Sequence, residues 1–247
     1  MQPPQTIDLA GRVTVVTGAS SGIGAAMARR FSGAGSRLAL AARREDRIAA
    51  LAEEITTAGG EALAVPTDVT DYAAVERLVA RALEQFGQID VWINNAGHAV
   101  AGPLVESSVA EIDAQIDSNL RGVCYGCRAV LPHMIERRRG QIINIGSICS
   151  FRHFPNYAAY VAAKFAVIGF SRSLYEEVRP HGIRVNSLCP AAVNTEWAGV
   201  AGAELPWPPE ERLQPEDLAE MALFCVGMPE RVQIEEIVAW PLCEPTV

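Results

Sequence analysis

One tyrosine and one lysine stand four residues apart in a stretch with the apolar pattern of a helix. Residues i and i+4 share a helix face at about 6 Å, which would put the ammonium of Lys164 beside Tyr160. A phenol has an unperturbed pKa of about 10, so it needs a neighbouring cation to act as a general acid or base. Tyr157 is seven residues from Lys164, roughly 10 Å along a helix and beyond direct coupling. The spacing therefore predicts proton transfer by Tyr160.

The use of basic residues supports this pair. Lys164 is the only lysine among the 21 basic residues, and all the others are arginine. Lysine carries a compact ammonium on a flexible stem, which the broad, planar guanidinium does not reproduce. The chain therefore keeps its one point-charge cation at the position where a tyrosine needs one.

A glycine-rich turn follows the first apolar run of the chain. It reads Thr17-Gly18-Ala19-Ser20-Ser21-Gly22-Ile23-Gly24, and a helical stretch comes directly after it. Glycines in such a turn let the backbone approach a pyrophosphate, whose charge is favoured at a helix N-terminus. The spacing is G-x-x-x-G-x-G, and a turn of this kind alone is weak evidence for a dinucleotide site.

Three further motifs follow in order. They are Asn94-Asn95-Ala96-Gly97, Ser147, and Tyr160-Val161-Ala162-Ala163-Lys164. With the glycine-rich turn, the sequence resembles the short-chain dehydrogenase/reductase family in its form with TGxxxGxG, NNAG and YxxxK, from about residue 9 to about residue 195. The resemblance implies an NADPH-dependent oxidoreductase that interconverts a carbonyl and an alcohol by hydride transfer, without a metal.

The resemblance also assigns the catalytic roles. Tyr160 would be the general acid or base, and Ser147 would polarise the substrate oxygen. Lys164 would both lower the pKa of Tyr160 and bind the nicotinamide ribose. Asn119 would anchor a water that leads protons to Lys164, although an asparagine in a long helix is more commonly solvent-facing or bonded to the helix.

The end of the second predicted strand decides which dinucleotide we expect. Ala42 stands where an NAD-preferring site offers a carboxylate, and a 2′-phosphate needs a cation with no carboxylate nearby. We therefore predict NADP(H), with Arg43 on the phosphate and Arg44 a weaker candidate. Asp68 resembles the residue that bonds the adenine amino group; the alternative is a helix cap, although Asp71 would serve better. The predicted cofactor contacts are Gly18, Ser20, Ser21, Gly22, Ile23, Gly24, Arg43, Arg44, Asp68, Val69, Asn95, Ala96, Gly97, Tyr160, Lys164, Pro190, Val193 and Thr195.

One segment departs from the family pattern. After the sixth predicted strand the family usually has Pro-Gly, whereas this chain has Pro190-Ala191. Ala191 fits only if its backbone stays at negative φ. The following stretch, 190–213, has no clear period, and we expect it to be a lid beyond the carboxyl ends of the strands. An ordered surface excursion is the alternative.

Composition excludes several classes of protein. The 247 residues are 49% hydrophobic and 20% charged, which fits one globular domain over residues 1–247. A net charge of −8 disfavours nucleic acid and anionic membranes as partners. No apolar run reaches the roughly 18 residues of a membrane span, and the start of the chain lacks a signal-peptide pattern, so we expect a cytoplasmic protein. The six cysteines are expected to be free thiols.

Short apolar runs alternate with amphipathic stretches, which is typical of βαβ units. We predict an α/β fold: a single-domain, doubly wound, Rossmann-like parallel sheet of about seven strands with helices on both faces. Strands are predicted near 12–17, 37–42, 61–66, 89–94, 140–146, 183–188 and 234–240. Helices are predicted near 22–34, 44–58, 71–86, 108–138, 157–179 and 215–227. The two longest helices would pair copies of the chain into a homodimer or homotetramer.

The substrate is expected to be a small, partly apolar carbonyl compound or alcohol. Its walls are predicted at 98–104, 149–156 and 191–207, with aromatic side chains from Phe151, Phe154, Trp197 and Trp207 and a possible contact from His98 or His153. A 3-oxoacyl-carrier-protein-type ketoreductase is one alternative, although the chain end lacks the glycine-rich finish common there. A non-catalytic NADP(H)-binding sensor is the other, but a pure binder has no need of a reactive phenol.

Overall fold

Seven short runs rich in β-branched and small apolar residues pair into one parallel sheet. The structure is a computed structural model that describes residues 7–202 and 205–245. Its strands are β1 (Val13–Thr17), β2 (Arg37–Ala42), β3 (Ala62–Pro66), β4 (Val91–Asn94), β5 (Gly140–Ile145), β6 (Ile183–Pro190) and β7 (Glu236–Ala239). Their order is β3-β2-β1-β4-β5-β6-β7, and every pair is parallel. This confirms the predicted fold class.

Eight α-helices accompany the strands in the described residues. They are α1 (Gly22–Gly33), α2 (Glu45–Thr57), α3 (Tyr72–Phe86), α4 (Val109–Ile116), α5 (Gly122–Arg137), α6 (Ala158–Val178), α7 (Trp197–Ala201) and α8 (Pro215–Gly227). Side chains alternate between the faces of a strand, so Val15 and Val16 of β1 enter different cores. One core is closed by α1, α2 and α8, and the other by α3, α5 and α6. Both faces of the sheet are therefore covered, which explains the continuous apolar runs of its strands.

The predicted helix over 108–138 is confirmed, with one irregular turn in its middle. A π-helical turn, Asp117–Arg121, separates α4 from α5. Asn119 lies in this turn, and its side-chain amide donates to the carbonyl of Gln115 at 2.9 Å, four residues earlier. The wider turn keeps the apolar period on both sides, so the sequence pattern does not reveal it.

The predicted lid, 190–213, also contains regular structure. β6 continues to Pro190 because its last residues pair with β7. Within this segment, α7 and a 3₁₀ turn at Pro209–Glu211 are formed, while residues 203 and 204 lie outside the described residues. The same holds for residues 1–6 and 246–247 of the predicted domain. The other strand and helix ends agree with the prediction within two residues.

Parallel strands bring their carboxyl ends to one edge of the sheet, and this edge carries the predicted site. The glycine-rich turn leaves β1, Asn95 leaves β4, Ser147 leaves β5 and Ala191 leaves β6. The chain winds in opposite directions from β1 and β4, so a crevice opens between their ends. No described helix is long and apolar enough to cross a bilayer.

Candidate active site

One cavity of about 870 Å³ lies at this carboxyl edge. Every predicted site residue except Gly24 lines it. These residues are Gly18, Ser20, Ser21, Gly22, Ile23, Arg43, Arg44, Asp68, Val69, Asn95, Ala96, Gly97, Asn119, Ser147, Tyr160, Lys164, Pro190, Val193 and Thr195. In residues 7–202 and 205–245, His, Cys, Asp and Glu side chains form no group of three that would hold a metal ion.

Close packing explains why glycines recur in the turn after β1. A Cβ on Gly24 would lie 2.4 Å from the carbonyl oxygen of Gly18, so Gly24 lets α1 approach the turn from behind. Gly18 has φ +66°, which favours glycine. The amide of Asn95 donates to the carbonyls of Thr17 at 3.0 Å and Gly18 at 3.2 Å. Asn95 therefore fixes the shape of the turn as well as lining the cavity.

Ser147 is held rigidly where β5 ends. Its backbone is extended, and its Oγ accepts a hydrogen bond from the amide of Cys149 at 3.1 Å. The Oγ of Ser150 accepts in turn from the amide of Ser147 at 3.2 Å. These bonds orient a buried hydroxyl at the cavity wall.

Lys164 is buried on the inner face of α6. Its Nζ donates to the carbonyl oxygen of Ile145 at 2.8 Å and lies 5.6 Å from the ring centroid of Tyr160. Burial lowers the pKa of Lys164 to about 8, while the nearby thiols of Cys189 and Cys149 act in the opposite direction. The four-residue spacing thus brings the two side chains together as predicted, in a place that disfavours the charged amine.

The pKa of Tyr160 does not move in the predicted direction. Burial raises it above its usual value, and a hydrogen bond with Ser147 opposes that change only in part. The pKa of Tyr160 therefore gives no support to the expectation that Lys164 makes the phenol acidic. Desolvation of the buried phenol dominates the pKa of Tyr160, and Lys164 is not among the groups that lower it.

Asn119 adds a buried polar group next to Lys164. Its Nδ2 donates to the carbonyl of His98 at 2.6 Å, whereas its Oδ1 is buried and has no hydrogen-bond partner among the described residues. A Cβ on Gly97 would lie 2.4 Å from this Oδ1 and 3.8 Å from the Nζ of Lys164. Because Gly97 has no side chain, a space remains beside the ammonium of Lys164, and the free acceptor of Asn119 borders it.

The opposite end of the cavity carries arginines. Arg44 donates to the Oγ of Ser20 at 2.8 Å and of Ser21 at 2.7 Å, which ties it to the glycine-rich turn. Arg43, the stronger candidate from the sequence, is exposed and also lines the cavity. Arg44 was the weaker candidate, yet it has the more extensive contacts with the turn.

Asp68 lies near this end and does not cap α3. Its Oδ1 accepts from the amide of Thr70 at 2.9 Å and from the hydroxyl of Thr70 at 2.8 Å. Asp71 caps α3 instead by accepting from the amide of Ala73 at 3.0 Å. The cap interpretation of Asp68 is therefore wrong, and its carboxylate lines the cavity.

Aromatic rings line the remaining wall. Trp197 stacks on Tyr157 with ring centroids 6.5 Å apart and lies 5.5 Å from the ring of Tyr160. Phe154 and His98 also line the cavity, as expected. The predicted wall residues Phe151, Trp207 and His153 do not line it.

The sequence analysis missed four carboxylates that line the cavity: Asp113, Asp117, Glu196 and Glu244. Glu244, near the chain end, accepts from the amide of Ala192 at 3.0 Å, and burial raises its pKa. Glu196 precedes α7 and contacts Arg44 and Arg47. Neither Glu244 nor Glu196 lies in a motif, and no local signal marks them. Ala191 has no positive φ, as its identity requires, and its amide donates to the carbonyl of Ala239 at 2.9 Å.

Comparison with known proteins agrees with this geometry. A family model described as short chain dehydrogenase matches residues 12–205. A 3beta-hydroxysteroid dehydrogenase 1 of Eggerthella lenta is 40% identical over 227 residues, which are 91% of this chain and 85% of that protein.

Several similar solved structures contain nicotinamide dinucleotides, including one with 5-hydroxy-NADP and one with NAD. An alcohol dehydrogenase from the archaeon Thermococcus sibiricus, complexed with 5-hydroxy-NADP, has a TM-score of 0.88 and 32% identity, covering 96% of this chain and 99% of that one. A short chain dehydrogenase/reductase from Burkholderia phymatum in complex with NAD has a TM-score of 0.85 and 28% identity, covering 94% and 89%. Similar chains therefore bind either dinucleotide.

The buried amine yields a stability prediction. The folded protein releases the Lys164 proton near pH 8, whereas the unfolded chain holds it to about pH 10.4, so this group's contribution to the free energy of unfolding rises with pH between those values. Replacing Lys164 by Met removes a charged group that is costly at pH 7. We expect Lys164→Met to raise the free energy of unfolding by roughly 1–3 kcal/mol at pH 7.

Urea unfolding at neutral pH and again near pH 9.5 measures this effect. The advantage of Lys164→Met should shrink at the higher pH, because the wild-type amine is then mostly neutral. Arg43→Met, which removes an exposed cation at the same cavity, is the control and should change stability by less than about 0.5 kcal/mol. A variant that is less stable at pH 7, or equally shifted at both pH values, would contradict the prediction.

Proposed function

Because the chain belongs to the short-chain dehydrogenase/reductase family of oxidoreductases, we propose that it is an NADPH-dependent enzyme that interconverts a carbonyl and an alcohol. The substrate is small and partly apolar. One observation carries the proposal: Ser147, Tyr160 and Lys164 share a single cavity with Arg43 and Arg44. Groups suited to proton transfer and groups suited to phosphate thus stand at two ends of one space.

The residues present fit a nicotinamide dinucleotide. Gly22 adds no side chain at the N-terminus of α1, where negative charge is favoured. Asp68 offers a carboxylate for the adenine amino group, and Pro190, Val193 and Thr195 would bound the nicotinamide. When bound, the dinucleotide supplies the hydride for reduction or accepts it in oxidation.

In reduction, Ser147 and Tyr160 act on the substrate oxygen. The Ser147 hydroxyl, already oriented by the amide of Cys149, donates a hydrogen bond that polarises the carbonyl. Tyr160 transfers its proton to the oxygen as charge develops there. The phenol is protonated at neutral pH, because burial raises its pKa above the usual value, so it has a proton to give.

Lys164 and Asn119 return a proton to Tyr160. An amine with a pKa of about 8 is mostly charged at pH 7 yet gives up its proton at small cost. The unpartnered Oδ1 of Asn119 is suited to hold a water beside this amine. Lys164 also has donors left for the hydroxyls of the nicotinamide ribose, since one observed bond goes to Ile145.

Cofactor choice rests on the end of β2. Ala42 leaves no carboxylate where a ribose 2′-hydroxyl would be bound in an NAD-preferring site, and two arginines follow it. We assign the 2′-phosphate to Arg43, with Arg44 as its neighbour. The stretch 190–213 is the lid of the site, with Trp197 closing the substrate end, and the enzyme acts as a homodimer or homotetramer.

Removal of the phenol oxygen tests the general acid. Tyr160→Phe keeps the buried ring, so we expect turnover of ketones and aldehydes with NADPH to fall at least about 100-fold while NADPH affinity changes little. The substrate panel should include a 3-ketosteroid, given the relative named above. NADPH consumption gives the rate, and fluorescence titration gives the affinity. Equal turnover by both proteins would refute the role of Tyr160, and a wild type inactive on every compound would favour a sensor.

Removal of the Arg43 charge tests the cofactor. Arg43→Ala loses a charge-assisted bond to the 2′-phosphate, so we expect the KM for NADPH to rise about tenfold with no change for NADH. Steady-state kinetics with each cofactor measures the two values. Arg231→Ala, which removes an exposed arginine outside the cavity lining, is the matched control. An unchanged KM for NADPH would disprove the assignment.

A further inference from the structure

A carboxylate from the lid occupies the arginine end of the cavity. Glu196 accepts hydrogen bonds from Arg47 at 3.0 Å and from Arg44 at 3.3 Å. It lies about 150 residues along the chain from both, so the contact joins the lid to the start of α2. The two arginines together lower the pKa of Glu196, which therefore stays charged at neutral pH.

Arg44 already uses four of its five N–H donors. The same guanidinium that contacts Glu196 also donates to the hydroxyls of Ser20 and Ser21 in the turn after β1. A guanidinium binds carboxylate and phosphate with the same planar array of donors. A phosphate arriving at Arg44 must therefore share these donors with Glu196 or replace it.

We propose that Glu196 determines cofactor specificity by competing with the 2′-phosphate of NADP(H) for Arg44. This inference rests on the proposed function, because it takes the cavity to be a dinucleotide site. Without a 2′-phosphate there is no competition, so NAD(H) binding is indifferent to Glu196. The carboxylate thus reduces the preference for NADP(H) that Arg43 and Arg44 create.

The position of Glu196 also couples this competition to the substrate end. Trp197 is the next residue, begins α7 and stacks on Tyr157. Its amide donates to the hydroxyl of Thr195 at 3.2 Å, which keeps the segment compact. Displacement of Glu196 by a phosphate therefore breaks one contact that holds the lid, the one with Arg44. This contact lies one residue before Trp197, whose ring faces the substrate end.

The test compares NADP⁺ and NAD⁺ binding to the full-length wild type and to Glu196→Gln. Glutamine keeps the shape of the side chain and removes its charge. We expect the Kd for NADP⁺ to fall about fivefold, the equivalent of one exposed charge pair, while the Kd for NAD⁺ stays constant. Isothermal titration calorimetry at low ionic strength measures both constants. Glu210→Gln, from the same lid but outside the cavity lining, has the same charge change and should affect neither.

A second background separates competition for Arg44 from simple repulsion. In Arg44→Met, the gain from Glu196→Gln should fall below about twofold, because the shared guanidinium is gone. If Glu196→Gln still strengthens NADP⁺ binding about fivefold in the Arg44→Met background, the inference is overturned. It is also overturned if Glu196→Gln and wild type have the same ratio of the NADP⁺ Kd to the NAD⁺ Kd, or if Glu196→Gln binds NADP⁺ more weakly than wild type. If the inference fails but wild type binds NADP⁺, the proposed function still stands. If wild type binds neither dinucleotide, both the inference and the proposed function are refuted.

Discussion

The burial of one ammonium is the constraint on which the site depends. Lys164 is held by α6 against the end of β5, with the carbonyl of Ile145 as its observed hydrogen-bond partner. Taking a charge out of water is costly, and the lowered pKa of Lys164 records that cost. A fold selected for stability alone would place an apolar side chain there. The charge remains where a buried phenol and the unused acceptor of Asn119 adjoin it.

The parallel sheet places the buried Lys164 at one end of a cavity whose other end carries arginines. Because all strands release their chains at one edge, Ser147 after β5 and the glycine-rich turn after β1 border the same cavity. Buried groups of perturbed pKa lie at one end and exposed arginines at the other. The segment after β6 contacts both ends, since Glu196 contacts Arg44 while Trp197 packs on the aromatic wall. The arginines and the aromatic wall are therefore connected through two neighbouring residues of one segment.

The sequence predicted those features that depend on residues close together in the chain. The four-residue spacing brought Tyr160 and Lys164 together, and the period of apolar residues located every strand of the described sheet. The π-helical turn around Asn119 escaped prediction because it leaves that period intact on both sides. The ion pairs of Glu196 join residues distant in sequence, and the upward pKa of Tyr160 depends on burial depth. Both are properties of tertiary packing that no motif encodes.

A crystal structure of the protein in complex with NADP⁺ tests the central claim most directly. The account predicts the nicotinamide ring beside the hydroxyl of Tyr160, the ammonium of Lys164 on the nicotinamide ribose, and the 2′-phosphate at Arg43 and Arg44. A dinucleotide bound outside this cavity, or a Tyr160 hydroxyl turned away from the ring with Lys164 bonded to Ile145 and not to the ribose, would contradict it.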